Sequence, residues 1–268
     1  MDAVPVRDPA TGPGPMALRV ASFNIRSARS FDGRNSWPLR RLATVGAIRG
    51  LDADVVGLQE VHRGPSAYLL RRLRSYAGVG DGRSGGKRGE RCLVLHRTER
   101  LEMLAWSTRW FSDAPDRAGT RLPGASFPRV VTLVELADRR SGRRFGVADV
   151  HLDEHRNENR LASVHMLTSW LDPGLPWLVV GDFNAGPTSR VLAVLTDAGF
   201  RPALDHGAGG TAHGFTGRAD GPRLDHILVS SHWDVLAGAA VRTEAGRLPS
   251  DHWPVVADVR LDADPSLP

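Results

Sequence analysis

Residues 177–186 read WLVVGDFNAG, and the architecture of the chain can be worked out from this point. The run WLVV is short and rich in β-branched residues, which predicts a buried strand that ends at Gly181. Asp182 and Asn184 follow at the carboxyl end of that strand. In an extended conformation both side chains point to one side and that of Phe183 points to the other, so a carboxylate and an amide are available to a water molecule and a phosphate. The alternative is that Asp182 and Asn184 only begin a turn.

Five more apolar segments carry polar groups at one end. These groups are Asn24 after LRVASF, Glu60 after DVVGLQ, His151 after RFGVADV, Asp225 before HILVS, and Asp251 with His252 before WPVVADV. Active sites are commonly built at the ends of strands, where loops are held by a rigid scaffold. Because turn chemistry alone does not explain six such segments, we interpret the set as one candidate active site.

The order of the predicted elements indicates the fold class. The predicted helices cover residues 38–49, 65–77, 158–171 and 189–198. The second of these would contain both tyrosines, Tyr68 and Tyr76. Strand-like segments lie between the helices, and a strand-helix run followed by a strand-rich run occurs twice. An α/β (α+β) chain with two mixed sheets packed face to face and helices outside satisfies this order.

Length and composition predict one domain. A chain of 268 residues with 41% hydrophobic content can bury a substantial core, and we expect a single domain over residues 17–262. Residues 1–16 are rich in Pro, Gly and Ala and are expected to form a disordered leader, with a short tail at 263–268; either Met1 or Met16 could be the start. No segment resembles a signal peptide or a membrane span, so we expect a soluble, cytoplasmic protein. We also expect a monomer.

The charge of the chain suits an anionic substrate. The formal net charge is +5 and the pI is near 10.4, and a positive field concentrates anions. Nearly all of the cations are arginine, with Lys87 as the only lysine, so the base composition of the genome is an alternative explanation. The single cysteine, Cys92, excludes an internal disulfide framework and a zinc site with several thiolates.

Two competing motifs fail on their context, and a third is absent. His151 to His155 reads HLDEH, which fits the H-x-x-E-H zinc pattern, but that site needs both histidines on one helix and here the motif ends a strand. The glycines at 80, 82 and 85 have dinucleotide-fingerprint spacing, yet they do not join a strand to a helix. No G-x-S-x-G sequence is present. Hard oxygen donors remain, and they are the ligands of Mg²⁺ or Mn²⁺, which share coordination with substrate phosphate.

The six polar segments, taken in order, resemble the endonuclease/exonuclease/phosphatase superfamily. They are SFNIR at 22–26, LQE at 58–60, HLD at 151–153, GDFN at 181–184, RLDHIL at 223–228 and SDHWPV at 250–255. The resemblance spans residues 17–261 and is closest to compact bacterial members. It implies a four-layer α/β/β/α sandwich of two packed mixed sheets with outer helices. Members of this superfamily include deoxyribonuclease I, abasic-site endonucleases, sphingomyelinases, inositol-polyphosphate phosphatases and deadenylases.

The resemblance implies a metal site and a water-activating carboxylate. Glu60 would be the principal metal ligand for Mg²⁺ or Mn²⁺, with Asn24 beside it and Asp251 near or on the metal. Asp182 would orient and deprotonate the attacking water. Asn184 would hold a phosphate oxygen.

The resemblance also implies two histidine–carboxylate pairs. His252 would donate to the scissile phosphate and would be oriented by Asp225, because a carboxylate fixes the tautomer of an imidazole and raises its pKa. His151 and Glu90 would form a second pair that assists the leaving group. Two further residues are suspected to line the pocket, Arg129 and His213.

The residues leave several substrates open. We favour a small or lipid phosphoester, because no lysine-rich or aromatic-interleaved surface for a nucleic-acid strand is evident. Abasic-site endonucleases use a tyrosine near the phosphate, and Tyr68 and Tyr76 fall instead in a predicted helix. A nuclease acting on DNA or RNA is the nearest alternative. An inactive anion-binding scaffold is a third, against which the complete set of catalytic residue types stands.

Overall fold

The computed structural model describes residues 16–242 and 246–261, which contain twelve strands and four helices. The strands are β1 (Met16–Asn24), β2 (Val55–Val61), β3 (Tyr76–Val79), β4 (Arg91–Arg97), β5 (Leu101–Trp110), β6 (Val130–Asp138), β7 (Arg144–His151), β8 (Trp177–Asp182), β9 (Arg201–Pro202), β10 (Asp225–Val229), β11 (Trp233–Ala240) and β12 (Val255–Leu261). The helices are α1 (Trp37–Leu51), α2 (Arg63–Arg72), α3 (Asn157–Trp170) and α4 (Arg190–Asp197). A 3₁₀ turn at Gly33–Asn35 precedes α1.

The strands form two mixed sheets of six strands each. The first sheet has the order β11-β12-β1-β2-β4-β3 and the second the order β5-β6-β7-β8-β10-β9. Each sheet contains one parallel pair, β1 with β2 and β7 with β8, and the register places His151 beside Asp182. Because parallel strands end at the same edge of a sheet, both pairs deliver their terminal polar residues to one end of the molecule.

The two sheets pack face to face and helices cover their outer faces. Apolar side chains from both sheets, such as Val20 and Val180, form the central core. The outer face of the first sheet packs on α1 and α2, and that of the second sheet packs on α3 and α4. The chain is therefore a four-layer α/β/β/α sandwich, which confirms the predicted fold class. Burying both faces of each sheet explains why most strands are apolar throughout.

Strand alternation decides which polar side chains lie between the sheets. In β8, Val179 packs toward the helices and Val180 toward the opposite sheet, so Asp182 shares the inner side with Val180. Gly181 does not end the strand, which continues to Asp182. The φ of Gly181 is 149°, and a Cβ atom at this position would lie only 2.1 Å from the carbonyl oxygen of Val150, so the close approach of the two strands requires glycine.

One predicted helix is too long. The helix expected at 65–77 begins at Arg63 and ends at Arg72, and Tyr76 opens the short strand β3, where it pairs with Arg97 of β4. Tyr76 is therefore a strand residue whose hydroxyl donates to the Ala53 carbonyl at 2.5 Å. The four-residue strand is too short for its period to be separated from the preceding helix by sequence pattern.

The expected terminal segments lie largely outside the described residues. Residues 1–15 and 263–268 are not among them, and Met16 already belongs to β1, so a leader cannot extend through that residue. Within the described ranges, no helix combines the length and the apolar character needed to cross a membrane.

Candidate active site

The polar strand ends converge between the two sheets at one end of the sandwich. Asn24 ends β1, His151 ends β7, Asp182 ends β8 and Asp225 begins β10. The loop before β12 adds Asp251 and His252 from the first sheet. Because these elements belong to both sheets, the site is assembled only when the sheets pack.

Asp182 is a buried carboxylate whose two oxygens are both held. Its Oδ2 accepts a hydrogen bond from Asn24 Nδ2 at 2.9 Å, and its Oδ1 accepts one from the backbone N–H of Asn184 at 2.9 Å. Burial raises the pKa of Asp182, and the neighbouring Asp225 carboxylate raises it further. A carboxylate with a raised pKa is a stronger base toward a bound water.

The extended conformation predicted for 182–184 is wrong. Asn184 has a φ of 48°, in the left-handed region that asparagine tolerates better than most residues, so the chain turns after Asp182. The Asn184 side chain donates from Nδ2 to the Leu152 carbonyl at 3.1 Å. A turn at this position is compatible with a role of Asp182 and Asn184 in catalysis, because the turn brings the Asn184 backbone N–H to Asp182 Oδ1.

Glu60 is directed into the site by an irregularity of β2. Gln59 is the inward-facing residue of this strand, since it donates to Asp149 at 2.6 Å, so simple alternation would point Glu60 outward. A register shift between Leu58 and Val61 and a φ of 62° at Glu60 turn the side chain back. Its oxygens accept hydrogen bonds from Asn24 Nδ2 at 2.9 Å and from the Ser27 backbone at 2.6 Å.

Asp251 lies on a loop that is tied to the end of β1. The neighbouring Ser250 hydroxyl donates to the Asn24 carbonyl at 2.6 Å, and Arg26 Nη1 lies 3.4 Å from Asp251 Oδ2. The Asp32 carboxylate holds the same guanidinium and raises the pKa of Arg26, as do Asp251 and Glu60. Arg26 therefore supplies positive charge to the acidic side of the site.

The residues around Glu60 fit a hard divalent cation. Burial raises the pKa of Glu60, and the carboxylates of Glu90 and Asp251 raise it further, which is the repulsion that a bound cation would relieve. Carboxylate and amide oxygens are the donors that Mg²⁺ and Mn²⁺ prefer. Asn24 turns its Nδ2 toward the carboxylates, while its Oδ1 accepts from the Arg26 backbone at 2.9 Å.

His252 and Asp225 form a buried hydrogen-bonded pair. His252 Nδ1 lies 2.8 Å from Asp225 Oδ2, which leaves Nε2 free of this bond. Burial alone would lower the pKa of His252, but the carboxylates of Asp225, Asp182 and Asp251 outweigh it and raise that pKa to about 10. The imidazole is therefore cationic at neutral pH and can donate from Nε2.

Three further residues, Asp182, Asp225 and His252, are close enough together to be considered as metal ligands. Asp182, Asp225 and His252 offer ligand atoms within 4.8 Å of one another, which is compact enough for a metal ion. A histidine ligates a metal only as the neutral imidazole, and the surrounding carboxylates raise the pKa of His252 to about 10, so its ring would first have to lose a proton. We therefore interpret the three residues as a proton-donating and water-holding group rather than a metal site.

His151 and Glu90 do not form the expected pair. His151 Nε2 lies 3.8 Å from Asp182 Oδ2, and burial together with Arg129 holds its pKa well below the usual range, so the imidazole is neutral. Within the residues that the structure describes, no hydrogen bond or ion pair links it to Glu90, although both side chains line the same small cleft together with Arg83.

Glu90 instead belongs to a cluster behind Glu60. Its carboxylate accepts a hydrogen bond from Ser27 Oγ at 2.9 Å and pairs with Arg83 at 2.7 Å, and His62 Nε2 lies 3.4 Å away. Burial raises the pKa of Glu90, but His62, Arg83 and Ser27 outweigh it and lower that pKa to about 2. The cluster fixes Ser27, whose backbone N–H holds Glu60.

A buried arginine joins the two loops that carry the site. Arg40 of α1 is 0% exposed and donates to the carbonyls of Ile25 at 2.5 Å, Arg26 at 2.7 Å and Pro249 at 3.1 Å. Thr44, one turn later, donates to the Pro249 carbonyl at 2.8 Å. The loop after Asn24 and the loop before Asp251 are therefore held by the same helix.

The remaining suspected residues have structural partners. His151 ends a strand and its side chain is 12% exposed, whereas that of His155 is 70% exposed, so the two do not form the helical zinc pair. Arg129 pairs with Glu154. His213 packs its ring 4.3 Å from that of Trp253 and donates its backbone N–H to the Asp251 carbonyl at 2.8 Å, so it supports the loop of Asp251.

Sequence reasoning missed five residues that shape the site. They are Arg26, Ser27, Arg40, His62 and Arg83. His62 follows Glu60 by two residues and Ser27 follows Asn24 by three, so their closeness to assigned residues was an available signal. Arg40 carried no signal, because an arginine in an amphipathic helix is normally exposed.

A sequence profile of a protein family matches most of the chain. The family is described as the endonuclease/exonuclease/phosphatase family, and the match covers residues 21–252. That range contains every residue assigned to the site. A search of the curated proteins found no significant match.

Solved structures with the same architecture cover nearly the whole chain. An endonuclease/exonuclease/phosphatase from Bacteroides vulgatus is 28% identical, with a TM-score of 0.87 over 92% of this chain and 100% of that one. An endonuclease/exonuclease/phosphatase family protein from Bacteroides thetaiotaomicron is 25% identical, with a TM-score of 0.87 over 93% and 99%. A mannosyl-6-phosphatase from Bacteroides thetaiotaomicron is 24% identical, with a TM-score of 0.84 over 90% and 99%.

Proposed function

Because the chain belongs to the endonuclease/exonuclease/phosphatase family, we propose that it hydrolyses a phosphoric ester with the aid of Mg²⁺ or Mn²⁺ and a water molecule held by Asp182. The observation that carries this proposal is the convergence of a held carboxylate, Asp182, with a cationic imidazole, His252, whose Nδ1 lies 3.9 Å from it. A base for water and a donor for phosphate are thereby joined in one buried site.

Asp182 would accept the proton of the attacking water. Its oxygens each accept one protein hydrogen bond, which fixes the carboxylate and leaves lone pairs for the water. Its raised pKa favours proton uptake during attack. His151, neutral and 3.8 Å away, would add a further polar contact for the water or the leaving oxygen.

His252 would stabilise the negative charge that develops on the phosphate. With Nδ1 bonded to Asp225, its Nε2–H is the available donor, and the cation is maintained by the surrounding carboxylates. The Asn184 amide, which lies beside Asp182, would hold another phosphate oxygen. These donors are preorganised, because each is fixed by a protein hydrogen bond.

Glu60 and Asp251 would hold the divalent cation, and Asn24, whose Nδ2 donates to Glu60 and Asp182, would fix the carboxylates beside it. When bound, such an ion lowers the pKa of water and neutralises charge on the phosphate. The hydrogen bond from Ser27 to Glu60 and the ion pair of Arg26 with Asp251 would orient these ligands.

We propose a small or lipid phosphoester as the substrate. The fold is shared with a mannosyl-6-phosphatase, which gives a precedent for a phosphomonoester in this architecture. A nuclease is the second candidate. It is favoured by two exposed rings, Phe31 in the loop after β1 and Phe127, on whose ring Arg83 of the Glu90 cluster packs, because exposed aromatic rings stack on bases.

The test compares three substrates with and without metal. Wild type and Asp182→Ala are assayed with p-nitrophenyl phosphate, bis(p-nitrophenyl) phosphate and plasmid DNA, in Mg²⁺, Mn²⁺ or EDTA. Asp197→Ala is the matched control, since Asp197 is an exposed carboxylate of α4. We expect EDTA and Asp182→Ala each to lower turnover by at least about 10²-fold, because the base and the cation are both required.

The substrate pattern decides between the candidates. Turnover of either small ester without plasmid nicking supports the small-phosphoester proposal. Nicking that EDTA and Asp182→Ala abolish supports the nuclease instead. Activity that resists both EDTA and Asp182→Ala contradicts the mechanism, and the lack of any metal-dependent activity favours the anion-binding scaffold.

A further inference from the structure

A cavity at the opposite end of the molecule is lined mainly by arginine. It has a volume of about 640 Å³, and its wall contains Arg49, Arg71, Arg72 and Arg74 with Tyr76. The active-site residue Asn24 precedes α1, whereas Arg49 lies in the last turn of this 15-residue helix. A helix of that length spans roughly 22 Å, so the cavity is remote from Asp182.

In the part of the chain that the structure describes, the four guanidinium groups have no acidic partner. Among residues 16–242 and 246–261, no carboxylate lies within ion-pair distance of any of them; the nearby Asp52 pairs with Arg97 at 2.6 Å. Arg49 is fixed by a neutral contact, because its Nη2 donates to the Arg72 carbonyl at 2.7 Å. Elsewhere on the molecule exposed arginines often have a carboxylate, as Arg139 has Glu102 and Arg144 has Glu135.

The ring of Tyr68, next to the cavity, holds two of these four charges close to a third from Arg41. The guanidinium carbons of Arg71 and Arg72 lie 5.7 and 5.3 Å from the ring centroid of Tyr68. Arg41 of the neighbouring helix lies 4.9 Å from the same centroid. Three like charges around one ring repel each other, and cation–π attraction offsets part of that repulsion. The ring thus confines cations that would otherwise move apart in solvent.

The dipoles of α1 and α2 do not balance the positive charge of the four cavity arginines. The cavity lies at the carboxyl ends of α1 and α2, where the peptide dipoles place about half a negative charge each, or about one in total. Four arginines carry four positive charges, so about three remain unbalanced. A genome base composition that favours arginine would explain the choice of arginine over lysine, but not why four arginines line one depression where the described residues supply no paired carboxylate.

We propose that this cavity is a binding site for a small polyanion that carries several phosphate groups, such as a di- or triphosphate moiety. The planar guanidinium fork matches phosphate oxygens in bidentate geometry, and several forks that converge in a concave site suit one multiply charged group. A nucleic-acid strand would require a basic stripe along the surface, whereas these four arginines surround one open depression.

Binding of inorganic tripolyphosphate to the full chain tests the proposal. Isothermal titration calorimetry measures the Kd for wild type, for Arg71→Ala/Arg72→Ala and for Arg49→Ala/Arg74→Ala. The titrations contain EDTA, which removes any cation from the active site. The matched control is Arg140→Ala/Arg190→Ala, which removes two exposed charges elsewhere. We expect each cavity variant to raise the Kd at least about tenfold and the control to stay within about twofold, because only the former lose charge-assisted hydrogen bonds.

The outcomes are distinct. A similar loss in the control variant would mean that net charge alone attracts the anion, and equal Kd values in all proteins would mean that the cavity binds nothing; either overturns the proposal. Cavity-dependent binding of a 20-nucleotide single strand that is tighter than that of tripolyphosphate would assign the site to nucleic acid and would also overturn it. Two separate double variants of the cavity are tested, so if one of them misfolds, the other still decides the outcome. Hydrolytic activity is not the readout, so the result is independent of the proposed function.

Discussion

Glu90 illustrates how a single residue acts through its neighbours. The resemblance to the family assigned it to a pair with His151, but the structure surrounds it with Ser27, His62 and Arg83. Ser27 connects this cluster to Glu60 by a backbone hydrogen bond of 2.6 Å. The charge of Glu90 is therefore used to fix the loop that holds the proposed metal ligand.

Glu90→Gln should reduce the free energy of unfolding in a pH-dependent way. The pKa of Glu90 falls from the ordinary 4.5 to about 2 on folding, so its charge stabilises the native state above pH 4.5 and this contribution is lost as the pH falls toward 2. The full shift corresponds to about 3 kcal/mol at pH 7 and about 1 kcal/mol at pH 3. Urea unfolding of both proteins at the two pH values measures the difference.

The exposed Glu99 provides the control for this experiment, because Glu99→Gln should change stability by less than about 0.5 kcal/mol at either pH. A Glu90→Gln penalty that is the same at pH 7 and pH 3 would show that the charge of Glu90 is not stabilising.

Helix α1 acts as a support for the active site. Arg40 is buried on its inner side and donates to carbonyls from the loop after β1 and from the loop before β12. Burial lowers the pKa of Arg40 to about 10, even though Asp251, Asp32 and Glu60 oppose that effect. The guanidinium therefore remains cationic at neutral pH and fixes both loops at once.

Arg40→Met should destabilise the fold and impair catalysis together. The substitution keeps much of the volume but leaves the carbonyls of Ile25, Arg26 and Pro249 without a donor, at a cost of about 3 kcal/mol or more. We expect a lower urea midpoint and a lower kcat, because the loops of Asn24 and Asp251 lose their common anchor. The exposed Arg34, replaced by Met, serves as the control. Equal midpoints for Arg40→Met and wild type would contradict this role.

The elements were predictable where periodicity was strong and were missed where geometry intervened. The apolar runs before Asn24, His151 and Asp182 indicated strands that end in polar groups, and the sandwich followed from their order. The bulge that turns Glu60 inward and the left-handed turn at Asn184 depend on backbone angles of 62° and 48°, which a two-residue period does not encode. In the structure Asn24 donates to both Glu60 and Asp182, and Asp182 accepts from the Asn184 backbone, so these residues are linked by hydrogen bonds. The resemblance did not supply the partners of Glu90.

Carboxylates of the active site and the arginine-lined cavity lie at opposite ends of the molecule. Carboxylates gather between the sheets at the end where the parallel strands finish, and an arginine-lined cavity lies at the opposite end of α1 and α2. The net charge of +5 therefore does not describe every part of the active site, where the neighbouring carboxylates of Glu60 and Asp251 suit a cation. A divalent ion held by Glu60 and Asp251 would supply the positive charge that an anionic substrate requires there.

The most direct measurement is the metal dependence of bis(p-nitrophenyl) phosphate hydrolysis by wild type and Glu60→Gln, after treatment with EDTA and titration with Mn²⁺. Glu158→Gln, an exposed change of the same kind, is the control. We expect no turnover without metal, and a concentration of Mn²⁺ for half-activation that rises at least about tenfold in Glu60→Gln and is unchanged in Glu158→Gln, because the remaining ligands alone bind the ion weakly. Full activity in EDTA, or identical Mn²⁺ curves for wild type and Glu60→Gln, would contradict a metal-dependent hydrolase built on Glu60.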